Sequence, residues 1–190
     1  MMKRTFIAIP VQAGPKLRET HTKLRNELKN EKIKWVDSDH FHVTIFFLGD
    51  TREEQIKQVD QMLAALVSKY SAFTIRLHGL GVFKNINKPR VLWAGIKDYD
   101  PMREIKKALD RQMQAIGFEP DKREFKPHLT LARIKRIDDR DKLQKLITKN
   151  EHEDWQGVDI DRLIYFESRL TQKGPLYKPI GQYRLNDSGK

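Results

Sequence analysis

Apolar positions along the chain alternate between two spacings. Thr5 to Ile9 is a short β-forming run and reads as a strand. Leu17, His21, Leu24 and Leu28 then recur at helical spacing, and His42 to Phe47 is β-branched and aromatic enough to form a strand that Gly49-Asp50 is expected to close. Ile56, Val59, Leu63, Leu66 and Tyr70 mark a second amphipathic helix, and Phe73 to Leu80 a third strand. The order then recurs. Val91 to Ile96 reads as a strand, Met102, Ile105, Leu109, Met113 and Ile116 as a helix, His128 to Ile134 as a strand, and Leu143, Leu146 and Ile147 as a closing helix.

The recurrence has a period. Positions 86 apart pair Ala8 with Ala94, Pro15 with Pro101, His42 with His128 and Thr44 with Thr130, which points to a diverged duplication of a β-α-β-α-β unit. Lys84 to Arg90 is short, polar and free of linker composition, so the halves are expected as two lobes of one domain spanning 1–190. The first lobe is placed at about 1–85 and the second at 86–190, with the chain ends free to cross over. A pseudo-twofold arrangement of this kind sets equivalent strands on opposite walls of a central cleft. Asn186 to Lys190 reads as a disordered tail.

Composition narrows the chemistry. The 190 residues include no cysteine, which excludes a disulfide framework and thiolate metal sites and permits a reducing compartment. The apolar run near the N-terminus is short, ends at Pro10 and reads as a strand, not a signal peptide. No run approaches the roughly 18 apolar residues of a membrane span, so a soluble, cytoplasmic protein is expected. A net charge of +11 favours polyanionic partners, because neutralising phosphates releases condensed counterions.

Two His-x-Thr triplets occur, His42-Val43-Thr44 and His128-Leu129-Thr130, at the same place in each repeat. On a strand, residues i and i+2 share a face, so each triplet sets an imidazole beside a hydroxyl and turns Val43 or Leu129 toward apolar packing. Two histidines across a phosphate can supply the proton acceptor and the proton donor of an in-line displacement without a metal. Arg133 follows Thr130 by three positions where the first repeat has Phe47. Regular alternation turns it away from His128, so a bulge is needed to bring it round. Lys126 shares the face of His128. Trp35, Trp93, Phe41 and Phe46 are candidate stacking surfaces for a nucleobase, although such residues are more often core. His21 belongs to the apolar face of its helix. His40, His78 and His152 show no partner spacing, and Glu119, Asp121 and Glu124 form no metal-ligand pattern.

With those residues in view, the chain resembles the 2H phosphoesterase superfamily, in particular the RNA 2′,3′-cyclic phosphodiesterases also known as 2′-5′ RNA ligases. The resemblance runs through Arg4-Thr5-Phe6-Ile7-Ala8-Ile9, Trp35-Val36, Phe41 to Gly49, Gly81-Val82-Phe83, Pro89 to Gly95, Phe125 to Arg133, Phe166-Glu167-Ser168 and Gly174-Pro175. Val43 and Ile45 stand where leucine is usual. The resemblance implies an α+β bilobal fold with antiparallel-rich sheets flanking the cleft. It also implies opening of a 2′,3′-cyclic phosphate at an RNA end to a 2′-phosphomonoester, without cofactor or metal, and with reversible 2′-5′ RNA ligation. His42 is then the proton donor and His128 the proton acceptor, while Thr44, Thr130 and Arg133 bind the phosphate. A monomer with no protein partner and no membrane is expected. The alternatives are a phosphodiesterase for small cyclic nucleotides or ADP-ribose cyclic phosphate, and a non-catalytic RNA-binding module of the same fold.

Overall fold

A computed structural model of the protein describes residues 2–171 and 174–187. The expected helices are present as α1 (Pro15–Glu27), α2 (Glu53–Val67), α3 (Asp100–Ala115) and α4 (Arg140–Asn150). Leu17, His21 and Leu24 are buried on α1, Ile56, Val59, Leu63 and Leu66 on α2, Met102, Ile105, Leu109 and Met113 on α3, and Leu143 on α4. Three- and four-residue spacing gives each longer helix one apolar stripe. Proline stands in the first turn of α1 and of α3, where its missing N–H has no helical partner to lose. The Asp139 carboxylate caps α4 by accepting from the Lys142 amide at 2.9 Å.

Two antiparallel sheets carry the strands. One contains β1 (Met2–Pro10), β3 (His42–Arg52), β8 (Arg162–Thr171) and β9 (Gly174–Arg184) in the order β3-β1-β8-β9. The other contains β2 (Lys32–Trp35), β4 (Phe73–Phe83), β5 (Val91–Lys97), β6 (His128–Arg136) and β7 (Asp154–Ile160) in the order β2-β6-β5-β4-β7. The helices α2 and α3 pack on the first sheet, while α1 and α4 pack on β7 and β4 of the second. Strands are exchanged between the halves of the chain: β2 and β4 join the later strands, and the final hairpin β8–β9 completes the sheet begun by β1. The final hairpin lies beside β1, and Phe73–Phe83 is an inner strand of the second sheet and not part of the first.

Four strands escape the apolar pattern. In β9, Gly174, Pro175, Pro179 and Gly181 read as turn residues, yet an edge strand tolerates proline because only one side of its ladder is paired. β8 is a nearly continuous apolar run at Leu163 to Phe166 because it lies between two strands. β7 is interrupted by Gly157, and β2 has only four residues. Gly49 does not end β3. It takes a left-handed φ of 74° at a register shift opposite Thr5/Phe6, so the strand kinks there and continues to Arg52. Just beyond the kink, Thr5, Thr51 and Tyr165 form a buried hydroxyl cluster, with 2.7 Å between the threonine oxygens and 3.1 Å from the Tyr165 hydroxyl to Thr5. The expected tail is also tied down at its start. The Asn186 amide donates to Tyr70 O at 2.9 Å and its carbonyl accepts from Ala72 at 2.8 Å, while residues 188–190 lie outside the described residues.

The pairing refines the repeat. Thr44 faces Ala8 and His42 faces Pro10, while Thr130 faces Trp93 and His128 faces Gly95. The two His-x-Thr strands keep their 86-residue correspondence, whereas their partners correspond at 85, so Ala8 and Ala94 are displaced by one position.

Gly81 lies across the ladder from Trp93, and a Cβ there would come within 2.3 Å of the indole. Gly81→Ala is expected to overpack this contact and lower stability by about 1–3 kcal/mol. The loss should appear as a lower urea midpoint at unchanged slope; an unaltered midpoint would mean that Trp93 moves aside freely.

Candidate active site

β3 and β6 touch, one from each sheet, and each opens with a His-x-Thr triplet. Val43 and Leu129 are fully buried, as alternation requires, while His42 and His128 are half-buried and Thr44 is exposed. Both strands then carry one extra residue. The pairing of β1 with β3 passes over Ile45, and the pairing of β5 with β6 passes over Leu131. Each bulge places two successive residues in the core, Ile45-Phe46 and Leu131-Ala132, and returns the next side chain to the histidine face. Arg133 thus emerges beside Thr130, a place that regular alternation alone would deny it. At the corresponding place in the other sheet Phe47 emerges, 53% exposed, with the Arg4 guanidinium carbon 5.0 Å from its ring centre.

The imidazoles are held alike. His42 Nδ1 lies 2.8 Å from the carbonyl of His40, and His128 Nδ1 lies 2.8 Å from the carbonyl of Lys126. A carbonyl only accepts, so each Nδ1 carries the hydrogen and each neutral ring keeps its lone pair on Nε2. The role of Lys126 is therefore in its backbone; its ammonium lies 3.3 Å from Glu124. The strand-leading turn at Ser38–His40, capped by the Asp37 carboxylate, aims the His40 carbonyl.

Burial pushes both histidines below their ordinary pKa, because the protonated ring loses hydration. The backbone hydrogen bonds oppose this, and the Arg133 charge adds to it at both rings. His42 is lowered further by the charges of His40 and His128. One guanidinium thus acts on imidazoles from both sheets, so Arg133 lies near both.

Aromatic rings seat the two histidines differently. His42 contacts Phe6 and Tyr177 at 5.2 Å each and Phe166 at 6.3 Å between centroids. His128 meets the edge of Phe83 at 4.5 Å, and Phe83 leans on Trp93 at 5.5 Å. Phe166 and Tyr177 come from the exchanged hairpin. Tyr177 also feels Arg133, and its signal in the sequence was only its place two residues after Gly174-Pro175. Of the expected stacking residues, Phe41 and Phe46 are buried, Trp35 packs edge-on to His21, and Trp93 lies over Gly81. His21 is buried against Trp35 and Phe41. His78 is paired with Asp154 at 2.8 Å on the far part of the second sheet. Among the described residues no three His, Asp or Glu side chains gather as a metal-binding group, and no helix is long and apolar enough to cross a membrane.

Two antiparallel sheets that each bring a His-x-Thr strand to a shared site define the 2H phosphoesterases. A family model described as LigT like Phosphoesterase matches residues 7–93 and 97–177, and the chain belongs to that family. The chain is 29% identical over 187 residues to an RNA 2′,3′-cyclic phosphodiesterase of Methanothermobacter thermautotrophicus, covering 97% of this chain and 100% of that one. It is 33% identical over 159 residues to a protein of the same name from Aeropyrum pernix, covering 83% and 89%. In fold it is similar to TT0787 of Thermus thermophilus, with a TM-score of 0.77 at 23% identity over 98% of this chain and 100% of that one.

Removing the Arg133 charge should raise the pKa of both histidines, since that charge disfavours their protonated forms. Side-chain NMR titration of Arg133→Gln is expected to show upward shifts at His42 and His128 together. A shift at one ring only would detach Arg133 from the other wall.

Proposed function

We propose that the protein is an RNA 2′,3′-cyclic 3′-phosphodiesterase that leaves a 2′-phosphomonoester by two-histidine acid–base catalysis. The observation that carries this reading is the pair of imidazoles, one per sheet, each with Nδ1 engaged by a backbone carbonyl and Nε2 left for chemistry. The name of the relatives from Methanothermobacter and Aeropyrum supports the substrate. His128 Nε2 takes a proton from water as its oxygen attacks phosphorus. The bond to the 3′ oxygen breaks, and His42 Nε2–H delivers a proton to that oxygen. The hydroxyls of Thr44 and Thr130 donate to non-bridging oxygens, and Arg133 neutralises the charge that grows on them. The bound phosphodiester supplies the anion that the free site lacks, and so restores the protonated form of the donor against the Arg133 charge. Joining of RNA through a 2′-5′ bond follows the same path with the 5′-hydroxyl of a second RNA in place of water: His128 takes its proton as its oxygen attacks phosphorus, the bond to the 3′ oxygen breaks and His42 protonates that oxygen, and the same steps run backwards cleave the 2′-5′ bond.

The donor and acceptor labels follow the family resemblance. Electrostatics of the free site lean the other way, because His42 has the additional charges of His40 and His128 disfavouring its protonation. Phe47, exposed on the same face as His42 and Thr44, offers the stacking surface for the terminal base that the buried aromatics cannot. Both walls of the site come from one chain, which accords with a monomer, and a chain without cysteine accords with the cytoplasm.

His42→Ala and His128→Ala should each lower turnover of an RNA ending in a 2′,3′-cyclic phosphate by about a hundredfold or more. A substrate whose 3′ leaving group needs no proton should rescue His42→Ala and leave His128→Ala impaired. Rescue of His128→Ala instead reverses the labels, and full activity in both variants rejects the two-histidine mechanism. Activity is expected to survive chelation of divalent ions; loss on chelation, restored by one metal, would contradict this. The pH dependence of kcat/KM should be a bell belonging to the pair, centred on the acid side of the ordinary imidazole value of about 6.5, because burial and Arg133 lower both groups. The bell in kcat should lie at higher pH, since the bound phosphate favours protonation. A kcat/KM bell centred well above neutrality would count against the assignment of both limbs to these histidines.

A further inference from the structure

We propose that the far end of β6, together with the adjoining ends of β2 and β5, is a second anion site that holds the backbone of an RNA strand upstream of the end seated at Arg133. The proposal rests on the cyclic-phosphate reading above and extends it from the terminal nucleotide to the body of the substrate. Lys34 on β2 pairs across the ladder with Arg133, so the two side chains share a face. The next pairing on that face is Lys32 with Arg136, and Lys135 is the extra residue of a second bulge between them. A cavity of about 190 Å³ opens at this end, lined by Arg90, Lys135, Arg136 and Arg140 among others. From Arg133 to Arg136 the strand advances roughly 10 Å at about 3.3 Å per residue, which is the reach of a nucleotide or two.

The charges here are unspent. Lys34, Arg90, Lys135 and Arg140 are exposed, and none of the four side chains has an ion-pair or hydrogen-bond partner among the described residues. Some surface cations elsewhere are matched, as in Lys16–Glu153, Lys23–Glu19, Lys107–Glu104 and Lys142–Glu27, and others such as Lys29, Lys57 and Lys69 are not; what sets this end apart is that four unmatched cations gather beside one cavity and the Arg133 strand. Of the nearby carboxylates, Glu31 accepts from the amides of Asp138 and Asp139 and Asp138 takes Arg136 at 2.7 Å, which leaves Asp141 against the four cations. An ordinary solvated surface intersperses both signs, and this one leaves an excess of positive charge beside the catalytic face. Apolar anchors that would suit a protein partner are missing from the patch. The exposed large apolar residues, Met2, Phe47, Leu170 and Leu176, all belong to the other sheet. A flexible polyanion fits unpaired cations without an apolar anchor, and the strand joined to the reacting phosphate is the polyanion held nearest to them.

The test compares two RNAs that both end in a 2′-phosphate, a dinucleotide and a 12-mer, so that binding is read without turnover. Fluorescence anisotropy across a salt series should give a steeper fall of log K with log salt for the 12-mer. A quadruple variant, Lys34→Gln, Arg90→Gln, Lys135→Gln and Arg140→Gln, should flatten the 12-mer slope by about 3, at about 0.7 for each single-strand phosphate released. The dinucleotide slope should stay near that of the wild type. Thermal unfolding of the variant checks that these exposed substitutions leave the fold intact. An unchanged 12-mer slope overturns the proposal, and so does an equal loss for both lengths, which would assign the four charges to the general field of the end site. If the wild type hydrolyses no cyclic-phosphate end and the length-dependent slope still disappears in the variant, the anion site stands and the catalytic reading falls. Hydrolysis with no length-dependent slope leaves the catalytic reading standing and removes the anion site.

Discussion

A β-strand presents alternate residues to one face, and three side chains spaced as His, Thr and Arg at positions 128, 130 and 133 cannot share a face unless a residue is inserted between the last two. The bulge at Leu131 supplies that residue, and the bulge at Ile45 repeats it in the other sheet. Without the insertion Arg133 would point into the layer that holds Leu129 and Leu131, where an unpaired guanidinium is costly. The interrupted ladder is partly repaired from outside, since the Val36 amide donates to the Leu131 carbonyl at 2.9 Å. The short edge strand β2, which has no counterpart beside β3, leads the chain to that contact.

Repetition of the backbone allows divergence of what it carries. The two bulges return an arginine in one sheet and a phenylalanine in the other, so a symmetric frame presents a cation on one wall and an aromatic face on the other. The histidines keep the same hydrogen bond and differ in their seats, Phe6, Phe166 and Tyr177 for His42 against Phe83 for His128. Equivalent backbone geometry with unequal surroundings is how two copies of one side chain come to hold protons differently.

Local pattern made part of this legible. Helical stripes such as Met102, Ile105, Leu109 and Met113 are read directly because their period belongs to one segment, and the His-x-Thr triplets because their facing depends only on alternation. The need for a bulge ahead of Arg133 was visible; its position at Leu131 was not, since it is defined by which residue of β5 lies opposite. The membership of β4 and of the hairpin β8–β9 is hidden for the same reason, since it is defined by pairing: β4 turns to β5 and β7, and β8 reaches back about 160 residues to β1. β9 was further disguised by its two prolines, and Tyr177, which lies within it, was lost with it. Regular alternation sets Phe46, not Phe47, on the face of His42 and Thr44, because neither the bulge at Ile45 nor the resulting change of face can be seen in the residues themselves.

The exchanged hairpin also ties the site to the timing of synthesis. β1 leaves the ribosome first, yet its second neighbour, β8, begins at residue 162. At about 5–20 residues per second, β1 waits on the order of ten seconds with an open edge beside the apolar run Phe6 to Ile9. His42, made later, waits nearly as long for Phe166 and Tyr177. A growing chain can therefore carry both histidines and still lack the aromatic enclosure that desolvates one of them, so the site exists only once β8 and β9 have emerged.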